Sequence, residues 1–466
     1  MLHSVRVSAV SLLLFLSAGA RAVDVVAIGD SLTAEYDAIP RMAGFPAEAT
    51  AYADVTQRGW VSMSWVEVAA RLSRAHYNFG SVRTLSAPWN IPRLSGYEYN
   101  WGIPGILASQ YEDFVTSSAT QNFLYFVLRQ PLQTQLRSTA DRVVIWLGAN
   151  EFRSNYGRIY DGGSATALSD ALVGDLGRIV DAVQKLNPRV QIVIANVPDI
   201  GASPSKKAAH PEAGKRARVT AATVAANSRI ADLAKKKNVG LANVYALTEA
   251  LVRNVPLYIG AVPLVNDEHP DNHPRYAFTR DGLHPNTCLQ IFNARTISAA
   301  FNRKYRAGIP GITDSQALTL LGINPNQPFY DWLEEYGIAG RSFVADSDND
   351  RMSQLVEYAF GLDPTVSDAE SIDVTIGGPV RGIVGRKSVV VTPDPARVRH
   401  VRVTVQYSVN GRTWLNLPVR NVIRRAGGAF TGVIPPTATP AQLRLVVVTY
   451  PPSGSTVSVA STMRFE

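Results

Sequence analysis

The sequence predicts an α/β domain built on a parallel β-sheet, followed by a smaller all-β domain. Three short, apolar, β-branched runs, each followed by a glycine or asparagine, alternate with helical patterns; they cover 25–28, 142–147 and 190–195. Strands that alternate with helices in this way form parallel sheets with helices on both faces. After Tyr305 the pattern changes, and beyond residue 370 apolar and polar residues alternate as in half-exposed strands.

The segments between these strands have helical periodicity. Trp65, Val68, Ala69 and Leu72 share one face of a predicted helix. Helices are predicted over 60–73, 123–137 (interrupted by Pro131), 168–186, 213–237 and 286–302, and a further strand over 239–244. Prolines and a glycine predict a loop over 86–101. About five strands would form the sheet, and the apolar segment 257–265 has no assigned place.

The C-terminal region predicts a small β-sandwich. Apolar and polar residues alternate over 401–407, and Asn410-Gly411 is a strong hairpin signal. Runs at 443–448 and 456–463 add strands. A short amphipathic helix over 329–340 precedes this region.

Composition bounds the class of protein. The chain has 466 residues, a net charge of +8 and one cysteine, Cys288. A single cysteine excludes an intrachain disulfide, so the fold must be held by its core. The basic residues are scattered through helix and loop sequence without a nucleic-acid-binding motif, so we expect no nucleic-acid partner.

Residues 1–22 are typical of a signal peptide. Basic residues precede the apolar run 9–16, and Ala20-Arg21-Ala22 is a small-x-small cleavage pattern. That run is too short to span a bilayer, and no later run is longer and apolar, so we expect no transmembrane segment. The sequence therefore predicts an exported protein, in the periplasm, outside the cell or on its surface. The alternative is an uncleaved N-terminal anchor.

The stretch after the first predicted strand carries the first chemical signal. Gly29-Asp30-Ser31-Leu32 follows the run 25–28, and polar groups at the C-terminal ends of parallel strands form functional sites. Asp30, Ser31 and Thr33 are good helix caps, so we expect a helix to begin nearby. Ser31 would then be either a nucleophile near the positive end of a helix dipole or only a cap.

Three further motifs follow in order, each after a predicted strand or turn. They are Asn100-Trp101-Gly102-Ile103-Pro104-Gly105, Gly148-Ala149-Asn150-Glu151 and Asp281-Gly282-Leu283-His284-Pro285. Together with Gly29-Asp30-Ser31-Leu32 they resemble the four blocks of the SGNH (GDSL) hydrolase family. The resemblance covers about residues 23–305. Two features depart from the family pattern: Glu151 stands where an aspartate is usual, and an insertion occupies about 37–99.

The resemblance implies a flavodoxin-like, three-layer α/β/α fold and a role for each block. Ser31 would be the nucleophile of a serine esterase, His284 the general base and Asp281 the residue that orients the imidazole. The backbone N–H groups of Ser31 and Gly105 and the side-chain amide of Asn150 would form the oxyanion hole. No cofactor is needed for this chemistry, and the partner would be an acyl ester. Taken singly, Gly105 also reads as a turn residue and Asn150 as a loop hydrogen-bond donor.

Other functions stay open at this point. A non-catalytic surface or adhesion protein on the same fold is one, although such a relative would be expected to have lost Ser31 or His284. Within the enzyme class, a polysaccharide acetylesterase acting on an acylated polysaccharide is an alternative to a short-chain esterase or lipase. His269 and His273, with nearby carboxylates, are candidate metal ligands, but Pro270 disfavours a helical pair.

An acidic loop lies between the two predicted domains. Asp346, Asp348, Asp350 and Glu357 occupy positions 1, 3, 5 and 12 of an EF-hand spacing, which predicts a structural calcium site. Arg351 stands where the EF-hand has glycine. The stretch resembles calcium-loop linkers near the C-terminal ends of secreted bacterial enzymes. The alternative is an acidic turn paired internally with Arg351.

The predicted domain organisation follows from these patterns. It comprises a signal peptide (1–22), the SGNH hydrolase domain (23–308), a linker with the acidic loop (309–366) and a β-sandwich-like C-terminal domain (367–466).

Overall fold

The protein is described by a computed structural model. It describes residues 23–36, 59–83, 96–116, 123–372, 374–377, 388–408, 410, 412–417, 422–433, 442–449 and 458–463. The predicted signal peptide, 1–22, lies outside these residues, as do 37–58 and 84–95 of the predicted insertion.

Helices and strands alternate through the first part of the chain, and strands dominate the last. The described helices are α1 (Trp65–Leu72), α2 (Ala108–Thr116), α3 (Phe123–Ser138), α4 (Ala149–Tyr160), α5 (Thr166–Leu186), α6 (Pro204–Ala209), α7 (Ala213–Lys236), α8 (Tyr245–Val252), α9 (Thr287–Tyr305), α10 (Asp314–Leu321), α11 (Gln327–Glu335) and α12 (Gln354–Phe360). The strands before residue 300 are β1 (Val25–Gly29), β2 (Val82–Arg83), β3 (Gly96–Tyr97), β4 (Asn100–Gly102), β5 (Arg142–Trp146), β6 (Gln191–Ala195), β7 (Gly240–Ala242), β8 (Tyr258–Ile259), β9 (Val262–Pro263), β10 (Val265–Glu268) and β11 (Tyr276–Phe278). The later strands are β12 (Val374–Gly377), β13 (Ser388–Val391), β14 (Val401–Ser408), β15 (Leu415–Asn416), β16 (Val422–Arg424), β17 (Phe430–Val433), β18 (Gln442–Thr449) and β19 (Ser458–Met463).

The central sheet has five parallel strands in the order β4-β1-β5-β6-β7. Counted along the chain, this is the order 2-1-3-4-5 of flavodoxin-like folds. The predicted fold class is therefore confirmed. The C-terminal ends of all five strands meet at one edge of the sheet, which is where such folds place their sites.

The sequence prediction missed one strand of this sheet. The loop predicted over 86–101 ends in β4, which pairs with β1 in the register Ala27 to Asn100 and Gly29 to Gly102. The Asn100 side chain stabilises this edge strand because it donates to the carbonyl of Thr33 and accepts from the N–H of Gly102. Tertiary pairing thus outweighs the local turn signals.

Side chains alternate across the sheet and create two apolar layers. Val25 and Ala27 face the front layer, whereas Val26 and Ile28 face the back layer. Helices α1 and α9 cover the front, and α2, α4, α5 and α7 cover the back. The sheet is buried on both faces, which explains its continuous apolar runs.

The C-terminal region forms two antiparallel sheets. Their orders are β12-β13-β17-β16 and β15-β14-β18-β19. The all-β prediction is confirmed, and β14 pairs with β15 across the predicted Asn410 hairpin. The core of this region, here the C-terminal core, includes Phe329, Trp332, Leu355, Val389 and Val405.

The segment 309–366, expected to be a linker, is divided between two cores. Ile312, Leu318 and Leu321 pack into the front layer of the α/β domain, and Arg295 of α9 pairs with Asp314 of α10. Helices α11 and α12 instead pack into the C-terminal core. Amphipathic helices must cover their apolar faces, and each of these helices does so against a neighbouring core.

In the described part of the chain, none of the helices combines the length and apolarity that crossing a membrane requires.

Candidate active site

Ser31 lies in a tight turn at the C-terminal end of β1. The Asp30 carboxylate accepts the N–H of Leu32 at 2.8 Å, and the Asp30 carbonyl accepts the N–H groups of Thr33 and Ala34. Gly29 allows this turn because a Cβ there would lie 2.3 Å from Thr33 Oγ1. No helix begins within residues 31–36, and the residues that follow, 37–58, lie outside the described part of the chain. The Asp30 side chain caps the turn instead.

Asp281 and His284 lie on a second turn, between β11 and α9. Asp281 Oδ1 accepts three hydrogen bonds, from Thr279 Oγ1 and from the N–H groups of Leu283 and His284, at 2.8 to 3.0 Å. The carbonyl of His284 accepts the N–H of Thr279. This local network holds Oδ1 of the carboxylate and leaves Oδ2 to contact the imidazole.

Ser31, His284 and Asp281 form one hydrogen-bonded chain. His284 Nε2 lies 3.0 Å from Ser31 Oγ, and His284 Nδ1 lies 2.6 Å from Asp281 Oδ2. Burial alone would raise the pKa of Asp281, but the imidazole and the backbone N–H donors lower it well below its usual range. A charged Asp281 holds the tautomer with hydrogen on Nδ1, so Nε2 is left as the acceptor for the serine hydroxyl.

Asn150 contacts the residue that follows Gly105 in the chain, Ile106. Gly105 has a φ of +80° at the third position of a Pro-Gly turn, closed by the N–H of Ile106 to the carbonyl of Ile103. Asn150, in the first turn of α4, donates through Nδ2 to the carbonyl of Ile106 at 3.0 Å. The same Nδ2 lies 3.4 Å from Asp30 Oδ2, which is long for a hydrogen bond.

Asp30 and Glu151 are neighbours of Ser31 and Asn150 for which the sequence predicted no catalytic role, Asp30 being expected only as a helix cap. Asp30 is only 1% exposed, and burial raises its pKa to about 7. Burial likewise raises the pKa of Glu151, whose Oε1 accepts the N–H of Ala108 at the start of α2. In the sequence, the only signal for these two residues is that Asp30 precedes Ser31 and Glu151 follows Asn150. A motif does not show which side chains are buried.

The cavity beside Ser31 is lined mainly by apolar side chains. The centres of water-sized spheres can occupy about 80 Å³ of it, and Ser31, Asn150 and His284 are among its lining residues. Its apolar walls are Leu32, Trp146, Val244, Leu247, Phe278 and Leu289. A mainly apolar cavity with a few polar groups is typical of a small-molecule binding site.

The histidines at 269 and 273 do not form a metal site within the described residues. In the described part of the chain, two groups of three carboxylates are close enough to share a metal ion, and both groups include Asp350. His269 Nδ1 accepts the N–H of Asp271, and His273 Nδ1 lies 3.3 Å from the N–H of Arg275. Each imidazole thus closes its own turn.

Residues 25–290 match the family model described as GDSL-like lipase/acylhydrolase. The match covers more than half of the 466 residues. A parallel α/β fold with this match defines the class of protein as a hydrolase that acts on ester bonds. The chain belongs to the GDSL-like lipase/acylhydrolase family.

Solved structures of esterases are similar to this chain at low sequence identity. The family 3 carbohydrate esterase of Clostridium thermocellum is 15% identical, with a TM-score of 0.33, over 62% of this chain and all of that one. A family 3 carbohydrate esterase from Talaromyces cellulolyticus is 15% identical, with a TM-score of 0.33, over 60% of this chain and 97% of that one. Phospholipase A1 of Streptomyces albidoflavus is 14% identical, with a TM-score of 0.34, over 61% of this chain and 99% of that one. Comparison with curated protein sequences gives no match.

Proposed function

We propose that this protein is an exported serine esterase that cleaves carboxylic esters through an acyl-enzyme. The observation that carries the proposal is the hydrogen-bonded chain from Ser31 Oγ through His284 to Asp281, with separations of 3.0 and 2.6 Å. Ester hydrolysis itself follows from the family. What is proposed is the role of each residue, the kind of acyl group and the compartment.

In the proposed mechanism, Ser31 Oγ attacks the ester carbonyl while His284 Nε2 takes its proton. The imidazolium then returns that proton to the leaving alcohol, and a water molecule repeats the two steps to release the acid. Asp281 remains ionised because His284 and its backbone donors keep its pKa low, so it stabilises the imidazolium. This chemistry requires no cofactor.

The oxyanion hole of the proposal consists of the N–H groups of Ser31 and Gly105 and the side-chain amide of Asn150. Gly105 presents an exposed backbone in a left-handed conformation, where no Cβ obstructs a substrate. Asn150 is held by Ile106, whose carbonyl fixes one of its two amide hydrogens. Fixed donors cost no reorganisation when charge develops on the substrate oxygen.

The proposed acyl group is apolar and longer than acetyl. The support is the apolar cavity that opens at Ser31, with Trp146, Val244 and Phe278 among its walls. Each methylene buried there is worth about 0.8 kcal/mol. We therefore expect kcat/KM to rise about tenfold from p-nitrophenyl acetate to butyrate and to fall again at palmitate.

The test compares variants on that p-nitrophenyl ester series. Ser31→Ala and His284→Ala should lower kcat by about 10⁴-fold or more, Asn150→Ala by about 100-fold, and Asp281→Asn by less than Ser31→Ala. Ser203→Ala is the matched control: it lines the same cavity, but its hydroxyl donates to the carbonyl of Ile200. Circular dichroism establishes that each variant is folded.

Near-normal hydrolysis by folded Ser31→Ala would overturn the assignment. Wild-type protein without activity on any of the esters would favour the non-catalytic surface protein. Maximal activity on acetate, together with release of acetate from acetylated xylan or peptidoglycan, would replace the apolar acyl group by the polysaccharide acetylesterase alternative.

Export is proposed from the signal-peptide pattern in residues 1–22. In a bacterial host, mature protein from the periplasm or the medium should begin at Val23, after Ala20-Arg21-Ala22. N-terminal sequencing checks this expectation. Full-length protein beginning at Met1 in the membrane fraction would instead indicate the uncleaved anchor.

A further inference from the structure

A cluster of carboxylates lies where the acidic loop meets α12. Glu357, on α12, is 0% exposed, and both its carboxylate oxygens have no hydrogen-bond partner among the described residues. Asp348 Oδ2, Asp350 Oδ2 and Asp368 Oδ1 are likewise buried without such a partner. Buried polar atoms are normally satisfied, so several orphaned oxygens at one place require an explanation.

The aspartates are oriented by their other oxygens. Asp348 Oδ1 accepts the N–H of Asp350 at 3.2 Å, and Asp350 Oδ1 accepts the N–H of Met352 at 2.7 Å. Asp368 Oδ2 lies 3.3 Å from the N–H of Asp363. Each aspartate thus uses one oxygen to hold the backbone and leaves the second oxygen for the interior of the cluster.

The oxygens of these residues form two neighbouring groups of three. Asp346, Asp348 and Asp350 each supply a carboxylate oxygen within 4.8 Å of the others, and so do Asp350, Glu357 and Asp368. Asp350 belongs to both groups and joins them. Asp368 lies eleven residues after Glu357 and outside the EF-hand spacing, so the sequence pattern did not include it.

The protein does not neutralise this cluster through Arg351. Arg351 reaches the cluster through its backbone N–H, which donates to Asp346 Oδ2 at 2.9 Å, and its side chain is exposed. Glu357 instead lies among other carboxylates, with oxygens of Asp350 and Asp368 within 4.8 Å of its own. The site therefore concentrates negative charge that a cation would relieve.

We propose that Asp346, Asp348, Asp350, Glu357 and Asp368 bind one calcium ion that joins the acidic loop to the C-terminal core. Five carboxylates provide only hard oxygen ligands, which suit Ca²⁺ rather than a metal that prefers nitrogen or sulfur. Calcium–oxygen distances are about 2.3–2.6 Å, so ligands up to about 5 Å apart can share one ion.

The backbone of the loop supports this assignment. Arg351 has a φ of +73°, the left-handed conformation for which an EF-hand uses glycine at this position. The turn is therefore made despite the side chain, and the loop keeps the form that directs its aspartates inward. Calcium contacts would offset the cost of that conformation.

The ion would stabilise the C-terminal core by linking segments that contribute to it. Leu355 and Val356 are both fully buried in that core. They connect the acidic loop, which precedes them, to Glu357, which follows them. Binding to Glu357 and Asp368 therefore links the loop, α12 and the start of the β-region. A ligand that binds only the folded state raises its stability.

The experiment is differential scanning calorimetry of the full chain in millimolar calcium chloride and in excess chelator, with titration calorimetry of calcium into chelated protein. We expect calcium to raise the Tm of the C-terminal transition by about 5 °C or more and to release or absorb measurable heat on binding. Glu357→Gln and Asp368→Asn should lose most of this rise. Asp232→Asn, an exposed acid on α7, is the control and should keep it.

Comparing the unfolding temperatures of wild type and Glu357→Gln, with and without calcium, separates metal binding from a merely structural role. Compared with wild type, Glu357→Gln should unfold in chelator at the same temperature or higher, because the amide removes one of the carboxylates crowded at this place, and in calcium at a lower temperature. An unchanged wild-type Tm without heat of binding would overturn the proposal. So would Glu357→Gln and Asp368→Asn proteins that both retain the full rise.

Discussion

At the residue scale, two carboxylates near Ser31 have opposite pKa displacements. Asp281 faces an imidazole and two backbone N–H groups, so its pKa is lowered and its charge is retained except in strong acid. Asp30 is buried at the end of β1, so its pKa is raised to about 7. The first therefore contributes stability that is lost as the pH falls. The second has the opposite dependence.

The pH dependence of stability should reveal Asp30. Between its ordinary pKa of 3.8 and about 7, the native protein keeps a proton that the unfolded chain has released. Ionisation in this window therefore lowers the free energy of unfolding as the pH rises, by roughly 4 kcal/mol at most. Asp30→Asn lacks this component. Relative to wild type, it should gain stability steadily from pH 4 to pH 7, as measured by urea unfolding.

The control for this comparison is a variant that keeps Asp30 and loses a different, exposed carboxylate. Asp232→Asn changes an exposed carboxylate and should differ from wild type by a constant amount across the same pH range. If Asp30→Asn also differed from wild type by a constant amount, Asp30 would be ionised throughout in the native protein. The interpretation of its burial would then be wrong.

The motifs identify residues that the structure brings within hydrogen-bond distance. They do not identify the neighbouring residues that hold those side chains in place. Ser31 and His284 were chosen from short blocks far apart in sequence. Thr279, which donates to Asp281 Oδ1, and the buried state of Asp30 depend on how turns pack. Such contacts have no one-dimensional pattern, so sequence reasoning had no access to them.

At the scale of elements, long periodic segments were predicted and short ones were missed. The buried strands β1, β5 and β6 and the long helices α5 and α7 follow from apolar runs and 3.6-residue periodicity. The three-residue strand β4 has no such pattern and exists because it pairs with β1. Turn-forming residues around it gave the opposite signal.

Helix α10 provides an element-scale prediction. It packs Leu318 and Leu321 into the front layer, and the preceding Ile312 does the same. A chain ending at Asn324 should therefore keep the α/β domain stable and active on small esters. A chain ending at Pro310 would leave that layer uncovered at a cost of about 5 kcal/mol and a Tm lower by about 10 °C or more.

Thermal unfolding of the two shortened chains, each with its esterase activity, checks this expectation. Arg295→Ala in the longer chain is a milder companion, because it removes the ion pair to Asp314 but keeps the apolar contacts. Equal melting temperatures for the two shortened chains would show that α10 contributes nothing to the α/β domain.

At the scale of the whole molecule, the sequence indicated two folded regions and the change of pattern between them. It did not show that the connecting segment is shared, with α10 on one core and α11 and α12 on the other. Amphipathic periodicity shows that a helix has an apolar face, but not which surface covers it. Charged contacts also cross between the regions, as between Arg275 and Asp331.

The contact between Ser31 and His284 spans 253 positions of the chain. A contact of this range forms only after the intervening strands and helices have been brought together, since closing so long a loop costs entropy that local contacts do not repay. Helical content on refolding can therefore return long before the hydroxyl meets the imidazole. With Ser31 and His284 in their proposed roles, enzyme activity is for this reason a late reporter of folding, and it registers the completed α/β domain rather than any part of it.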